Sequence, residues 1–285
     1  MEIGVCTSID KLDLLDKLGY DRMELNIGAI SEMNEAELAE LKERLDSCNI
    51  RVKSGNCMFH GSLPQVYLDE GLEKIRAYFA MVMPKLQFLG ITTAVFGSGW
   101  HRRMPEDMAP EKRRQIILNL LTVMEAEARK NGITVAIEPL NKKETNMLVT
   151  TEEAMSYIME LQLPNLRLLV DLYHFYCEGE PLDRIGKYGP YIEHVHIVEP
   201  TCRTFMRQSD AYDYGAFVKA LRDAGYDGAL MFEGGGEDYD MRCILAGDYR
   251  FPSLLLNGFS CFQCSLTATL CNRLALGKRR RVLIF

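Results

Sequence analysis

The chain has 285 residues, 47% of them hydrophobic and 26% charged, with 40 acidic against 33 basic side chains and a formal net charge of −7. That length and apolar fraction can bury a sizeable core and exclude a disordered or collagen-like chain. The acidic balance excludes a nucleic-acid or anionic-membrane partner held by bulk electrostatics, and a small polar substrate fits better.

The opening run "MEIGVCTSID" enters a strand with no basic n-region and no apolar h-region, so no secretory signal is read and a cytoplasmic protein is expected. Nine cysteines, odd in number and scattered, are then expected to be reduced thiols.

Apolar strand-like runs follow at 2–6, 21–27, 51–57, 91–97, 133–138, 166–171, 192–197 and 229–233. Between them lie amphipathic helical patterns such as "NEAELAELKERLDSC" and "EKRRQIILNLLTVMEAEARKNG", the second closed by Lys130, Asn131 and Gly132 as a stop signal. Strict alternation of strand and helix predicts a parallel sheet. Eight such units over roughly 250 residues are the size of an α/β (β/α)8 TIM barrel, with an open doubly wound sheet as the alternative.

The barrel is expected over residues 1–248. From 249 to 285 there is no Asp or Glu, although all 40 acids precede it, and Cys261, Cys264 and Cys271 crowd into the same stretch. A last barrel helix should be amphipathic and of mixed charge. The segment is therefore read as an atypical tail, either out of frame with the rest or replacing that helix. Pro252, Asn257, Gln263 and Asn272 interrupt it too often for a membrane anchor.

Barrel enzymes carry their chemistry at the carboxyl ends of the strands. Four consecutive ends bear metal-binding types: Glu138, Asp171, His196 and Glu233. By the period of two, Glu138 shares the inner face with Ala136 and Thr134, while Ile133, Val135 and Ile137 face the helices. Any one acid at such a position is more simply a helix cap. On four consecutive strand ends that account fails, because three uncompensated carboxylates packed at one barrel mouth would repel one another. Three oxygen donors and one imidazole suit one divalent ion of intermediate hardness: Mn²⁺ is the best match, with Co²⁺, Mg²⁺ or Zn²⁺ as substitutes.

"IEPLNKKETN" (137–146), "VDLYHFYCEGE" (170–180), "HVHIVEPTCR" (194–203) and "GYDGALMFEGG" (225–235) resemble the sugar isomerase/epimerase family of xylose-isomerase-like TIM barrels, in particular the D-tagatose 3-epimerase type of ketose 3-epimerase. "FGSGWHRRMPE" (96–106) resembles that family's loop after the fourth strand. The resemblance implies that Glu138, Asp171, His196 and Glu233 are metal ligands and that Glu138 and Glu233 are also the catalytic acid and base. It implies that Glu144 and His174 contact the sugar's oxygens near C1 and C2. Arg203 matches the family's substrate-binding arginine, seven residues after His196 where six are expected.

The chemistry open to such a site is removal of a proton beside a carbonyl, with the resulting enediolate stabilised by the metal. Two carboxylates on opposite walls can take the proton from one face and return it to the other, inverting a ketose at C3. Return to the neighbouring carbon would instead make an aldose–ketose or hydroxypyruvate-type isomerase, and sequence does not separate the two. An endonuclease IV-like phosphodiester hydrolase is disfavoured, because "RQSDAYDYG" (207–215) lacks the Asp-x-His pair of a third metal. The expected partner is a small polyhydroxy carbonyl substrate, with no nucleic acid and no membrane, and homo-oligomerisation is left open.

Other residues carry weaker expectations. His194 should lie one layer deeper than His196 and need a hydrogen-bond partner. His60 and His101 sit on loops of the active face, as do Phe59 and Trp100, which either wall the site or pin the loops. The glycines of "EGGGED" (233–238) would permit a phosphate or any tight turn.

Overall fold

A computed structural model describes residues 1–204, 206 and 211–234. Eight parallel strands close into one barrel in sequence order: β1 (Glu2–Cys6), β2 (Arg22–Asn26), β3 (Arg51–Asn56), β4 (Thr93–Phe96), β5 (Thr134–Ile137), β6 (Leu166–Asp171), β7 (Ile192–Ile197) and β8 (Ala229–Phe232), with β8 paired back onto β1. The expected (β/α)8 TIM barrel is therefore the fold. Each strand lies within the run expected for it. The 249–285 tail, the domain limit at 248 and most of "EGGGED" lie outside the described residues.

The alternation of side chains divides the interior into two apolar shells. Ala94, Phe96, Val135, Ile137, Leu168 and Val170 belong to the large core beneath the helices, whereas Val95, Ala136 and Leu169 form a separate small cluster. Those three positions share the inner parity of their strands, so the same parity carries Glu138, Asp171 and His196 inward at the strand ends. Register completes the placement: Asp171 pairs with His196 across β6 and β7, and His196 with Met231 across β7 and β8.

Helix boundaries follow local chemistry. Helix Glu35–Ser47 starts with a capping box between Asn34 and Glu37. Helix Pro110–Lys130 has proline in its first turn and is followed by Gly132 at φ +68°, a left-handed position that favours glycine. The short helix Leu172–Cys177 begins at the site itself, since Asp171 is its N-cap and Oδ1 accepts from His174 N at 2.9 Å. Among the described residues no helix is long and apolar enough to cross a membrane.

Candidate metal centre

Glu138, Asp171, His196 and Glu233 each offer a ligand atom within 4.8 Å of the others at the carboxyl end of the barrel. His196 is wholly buried, and its Nδ1 lies 3.3 Å from Glu138 Oε1, 3.4 Å from Glu233 Oε2 and 3.8 Å from Asp171 Oδ2. Donors around an ion held at about 2.0–2.2 Å stand roughly 3–3.5 Å apart, so the spacing suits a small divalent cation with modest adjustment at Asp171. Asp171 Oδ2 is buried and accepts no hydrogen bond from the described residues. A buried carboxylate oxygen left in that state is costly unless a cation satisfies it. The donor set and this orphaned oxygen both fit the expected ion.

Space for the cluster is made by Gly97, the residue after β4, because a Cβ there would overlap Glu138 Oε2. Arg102, fully buried, holds the backbone below: its guanidinium donates to the carbonyls of Phe96 at 3.2 Å, Glu138 at 2.8 Å and Leu148 at 3.3 Å. It ties the ends of β4 and β5 together and adds positive charge beneath the carboxylates.

Electrostatics make the two glutamates unequal. Burial pushes the Glu138 carboxyl up from its ordinary value, and repulsion from Glu233 adds to the rise. Burial acts in the same direction on Glu233, but His196 and Arg203 overcome it and lower that carboxyl to about 2. Burial would lower His196, yet Glu233 and Glu24 hold it well above the usual imidazole value in the cation-free chain.

Three further residues named from the sequence lie beside the cluster. His174 Nδ1 accepts from Asn141 N at 3.1 Å, so the ring proton is on Nε2, which is buried and has no partner among the described residues. Glu144 Oε1 accepts from Asn141 Nδ2 at 3.1 Å and stands 3.8 Å from Arg203 Nη1. Arg203 Nη2 donates to Glu233 Oε2 at 2.5 Å, and its guanidinium lies over the Tyr173 ring at 5.0 Å. Arg203 itself has a left-handed backbone at φ +56°.

Sequence reasoning missed Glu24, Cys6 and Asn56. Glu24 is fully buried on β2; Oε2 lies 2.6 Å from His194 Nε2, and Oε1 lies 3.0 Å from His196 Nε2 and 3.3 Å from the Cys6 thiol. It is the partner His194 was expected to need. Asn56 Nδ2 donates to Glu233 Oε1 at 3.2 Å. An acid between the apolar residues Met23 and Leu25 in the middle of a strand was the available signal for Glu24. Of the loop residues, Phe59 is core, packed on Phe79, Phe96 and a stacked His101, while Trp100 is 57% exposed. His60 is engaged by Ser62 and Glu32.

The profile of the xylose isomerase-like TIM barrel family matches residues 12–246. The D-psicose 3-epimerase of Enterocloster bolteae is 24% identical over 233 residues, covering 78% of this chain and 75% of the relative. The 3-dehydro-D-guloside 4-epimerase of Escherichia coli is 23% identical over 233 residues, covering 79% and 86% respectively. Among solved structures, the IOLI protein with a bound zinc atom superposes with a TM-score of 0.72 at 19% identity, over 92% of this chain and all of that one, a likeness of fold. The match over 12–246, together with the closed barrel, shows that this chain belongs to the xylose isomerase-like TIM barrel family.

Proposed function

We propose that the chain is an isomerase of the epimerase kind, dependent on one divalent cation, that inverts C3 of a small ketose or related polyhydroxy carbonyl compound through an enediolate. The observation that carries this reading is the convergence of three carboxylates and one imidazole within 4.8 Å at the barrel mouth, two of the carboxylates coming from the non-adjacent strands β5 and β8. The relatives that act on psicose and on 3-dehydro-D-guloside support the substrate class.

Glu138, Asp171, His196 and Glu233 would hold the ion, and Mn²⁺ is the proposed species because the donors are mainly oxygen. The chemistry a divalent cation supplies there is Lewis acidity toward the substrate's carbonyl and hydroxyl oxygens, which stabilises enediolate charge. Glu138 and Glu233, reaching the site from different walls, take the C3 proton from one face and deliver it to the other. His174 Nε2–H, buried without a partner among the described residues, donates to a sugar oxygen. Arg203 and Glu144 orient the remaining hydroxyls. Free thiols at Cys6, Cys48, Cys57, Cys177 and Cys202 suit a reducing compartment, and the cytoplasm is the proposed location.

The test is incubation of the cation-loaded protein with a panel of ketoses in D₂O, followed by NMR. Deuterium at C3 with formation of the epimer is expected. Deuterium at C1 with an aldose product would make the protein an aldose–ketose isomerase, and no exchange in any sugar would overturn the reading.

A further inference from the structure

Glu24 lies outside the four-residue cluster but touches one of its members from behind. A carboxylate with zero exposure in the middle of a barrel strand is expensive unless each oxygen is hydrogen-bonded. Here both are: Oε2 takes His194 Nε2 at 2.6 Å, while Oε1 takes His196 Nε2 at 3.0 Å and the Cys6 thiol at 3.3 Å. The β2–β3 register slips by one residue between Met23 and Glu24, the kind of irregularity that re-aims a side chain.

An ionised carboxylate only accepts, so both histidines must present Nε2–H to it. For His196 this decides the tautomer. Its proton-bearing nitrogen is turned toward Glu24, and Nδ1 is left facing Glu138, Glu233 and Asp171 at 3.3, 3.4 and 3.8 Å. A ring flip would point Nδ1 away from those carboxylates and break the Glu24 bond. A carboxylate behind an imidazole also raises the basicity of the opposite nitrogen as a ligand.

We propose that Glu24 is the positioning residue of this centre, locking His196 in the Nε2–H form so that Nδ1 is the ligand atom, with His194 and Cys6 holding Glu24 in turn. The inference rests on the cation-binding reading above and deepens it. Glu24 itself is not a ligand in this arrangement, because its oxygens are occupied on the far side of the imidazole.

The experiment compares Zn²⁺ binding by calorimetry in the wild-type protein and in Glu24→Gln. The amide turns a donating NH₂ toward one of the two imidazoles, and even when its oxygen still accepts from His196 Nε2–H the anionic charge that polarises that imidazole is gone. Zn²⁺ affinity is expected to fall about 10- to 100-fold with a stoichiometry of one retained. A purely structural role would lower the melting temperature and leave the affinity of the folded variant unchanged, which would overturn the proposal. The second measurement needs no variant: ¹⁵N NMR of the histidine rings in Zn²⁺-loaded wild type should show His196 protonated at Nε2 with Nδ1 shifted by the ion. Protonation at Nδ1 would overturn the proposal. The ligand atoms of Cys6, Glu24 and His196 also lie within 4.8 Å of one another. Two zinc ions per wild-type chain, one of them lost in Glu24→Gln, would make Glu24 a ligand and likewise overturn it. Absence of Zn²⁺ binding by wild type would overturn both this inference and the cation-dependent reading, whereas tight binding by wild type and variant alike would overturn this inference alone.

Discussion

Arg203 and Glu233 are joined at 2.5 Å, and the glutamate oxygen they share lies 3.4 Å from His196 Nδ1. Glu233 thus stands between a guanidinium on the substrate side and the candidate ligand cluster. Replacing Arg203 with Gln removes one positive charge and leaves Glu233 to Asn56 and the cation. Divalent-cation affinity is expected to stay level or tighten, while KM for the ketose rises about 10-fold or more, the scale of a lost charge-assisted hydrogen bond. Calorimetry and steady-state kinetics read the two effects separately. Weakened cation binding with an unchanged KM would contradict the role given to Arg203.

Gly97 tests how closely the cluster is packed. Gly97→Ala places a methyl group against Glu138 Oε2, and Glu138 is only 4% exposed, so the carboxylate has little room to retreat. Displacement of a reacting group by about an ångström can cost roughly 10² in rate. The variant is expected to fold and to lose at least ~10-fold in kcat together with cation affinity. Full activity would show that Glu138 can take another rotamer without consequence.

The barrel and the four strand-end residues were legible because both rest on short-range pattern. Parity along a strand decides which side chains face inward, and it placed Glu138 relative to Ala136 and His196 relative to His194. What could not be read was any partner distant in the chain. Glu24 and His194 are 170 residues apart, Asn56 and Glu233 are 177 apart, and neither pair leaves a local signature. Nothing in "GWHRRMPE" marks Arg102 for burial; its guanidinium is buried against the carbonyls of Phe96, Glu138 and Leu148, which lie far from it in the chain or across two strand ends.

Glu178 provides a pH test away from the cluster. Its carboxylate accepts from Lys142 N at 2.9 Å and pairs with Lys142 Nζ at 2.9 Å, pinning the loop that carries Glu144. Burial acts to raise this carboxyl, but the backbone N–H and ammonium of Lys142 outweigh it and hold it below the ordinary glutamate value. A group lowered in the folded state contributes stability that is present above its unfolded value, about 4.3, and is lost as pH falls through the folded value. Acidification below about pH 4.3 should therefore release this loop. Glu178→Gln should remove that part of the acid dependence and cost about 1 kcal/mol at neutral pH. Thermal unfolding of both proteins across pH 3 to 7 measures it, and parallel curves would refute the assignment.

The functional proposal depends most on the pair Glu138 and Glu233. They follow β5 and β8, with Asp171 and His196 between them in strand order, and the proposed mechanism has them approach a bound sugar from different walls. In the cation-free chain their environments already diverge: burial and Glu233 raise Glu138, while His196 and Arg203 bring Glu233 down to about 2 against its burial. Divergent environments are how two carboxyls come to serve as acid and base. Changing either to Gln keeps an oxygen that can ligate but removes the proton-transfer group, and a loss of roughly 10² to 10⁴ in epimerisation rate is expected. The two variants should not fail alike. With one epimer as substrate, the variant that retains the base on the proton's face should still exchange the C3 proton with solvent D₂O without inverting the centre. With the other epimer, the second variant should show that behaviour instead. Both outcomes are read by NMR of recovered sugar, with cation content checked in each protein. If both variants bind the cation normally and epimerise every active sugar at the wild-type rate, proton transfer is carried by other groups and the two-carboxylate mechanism is wrong.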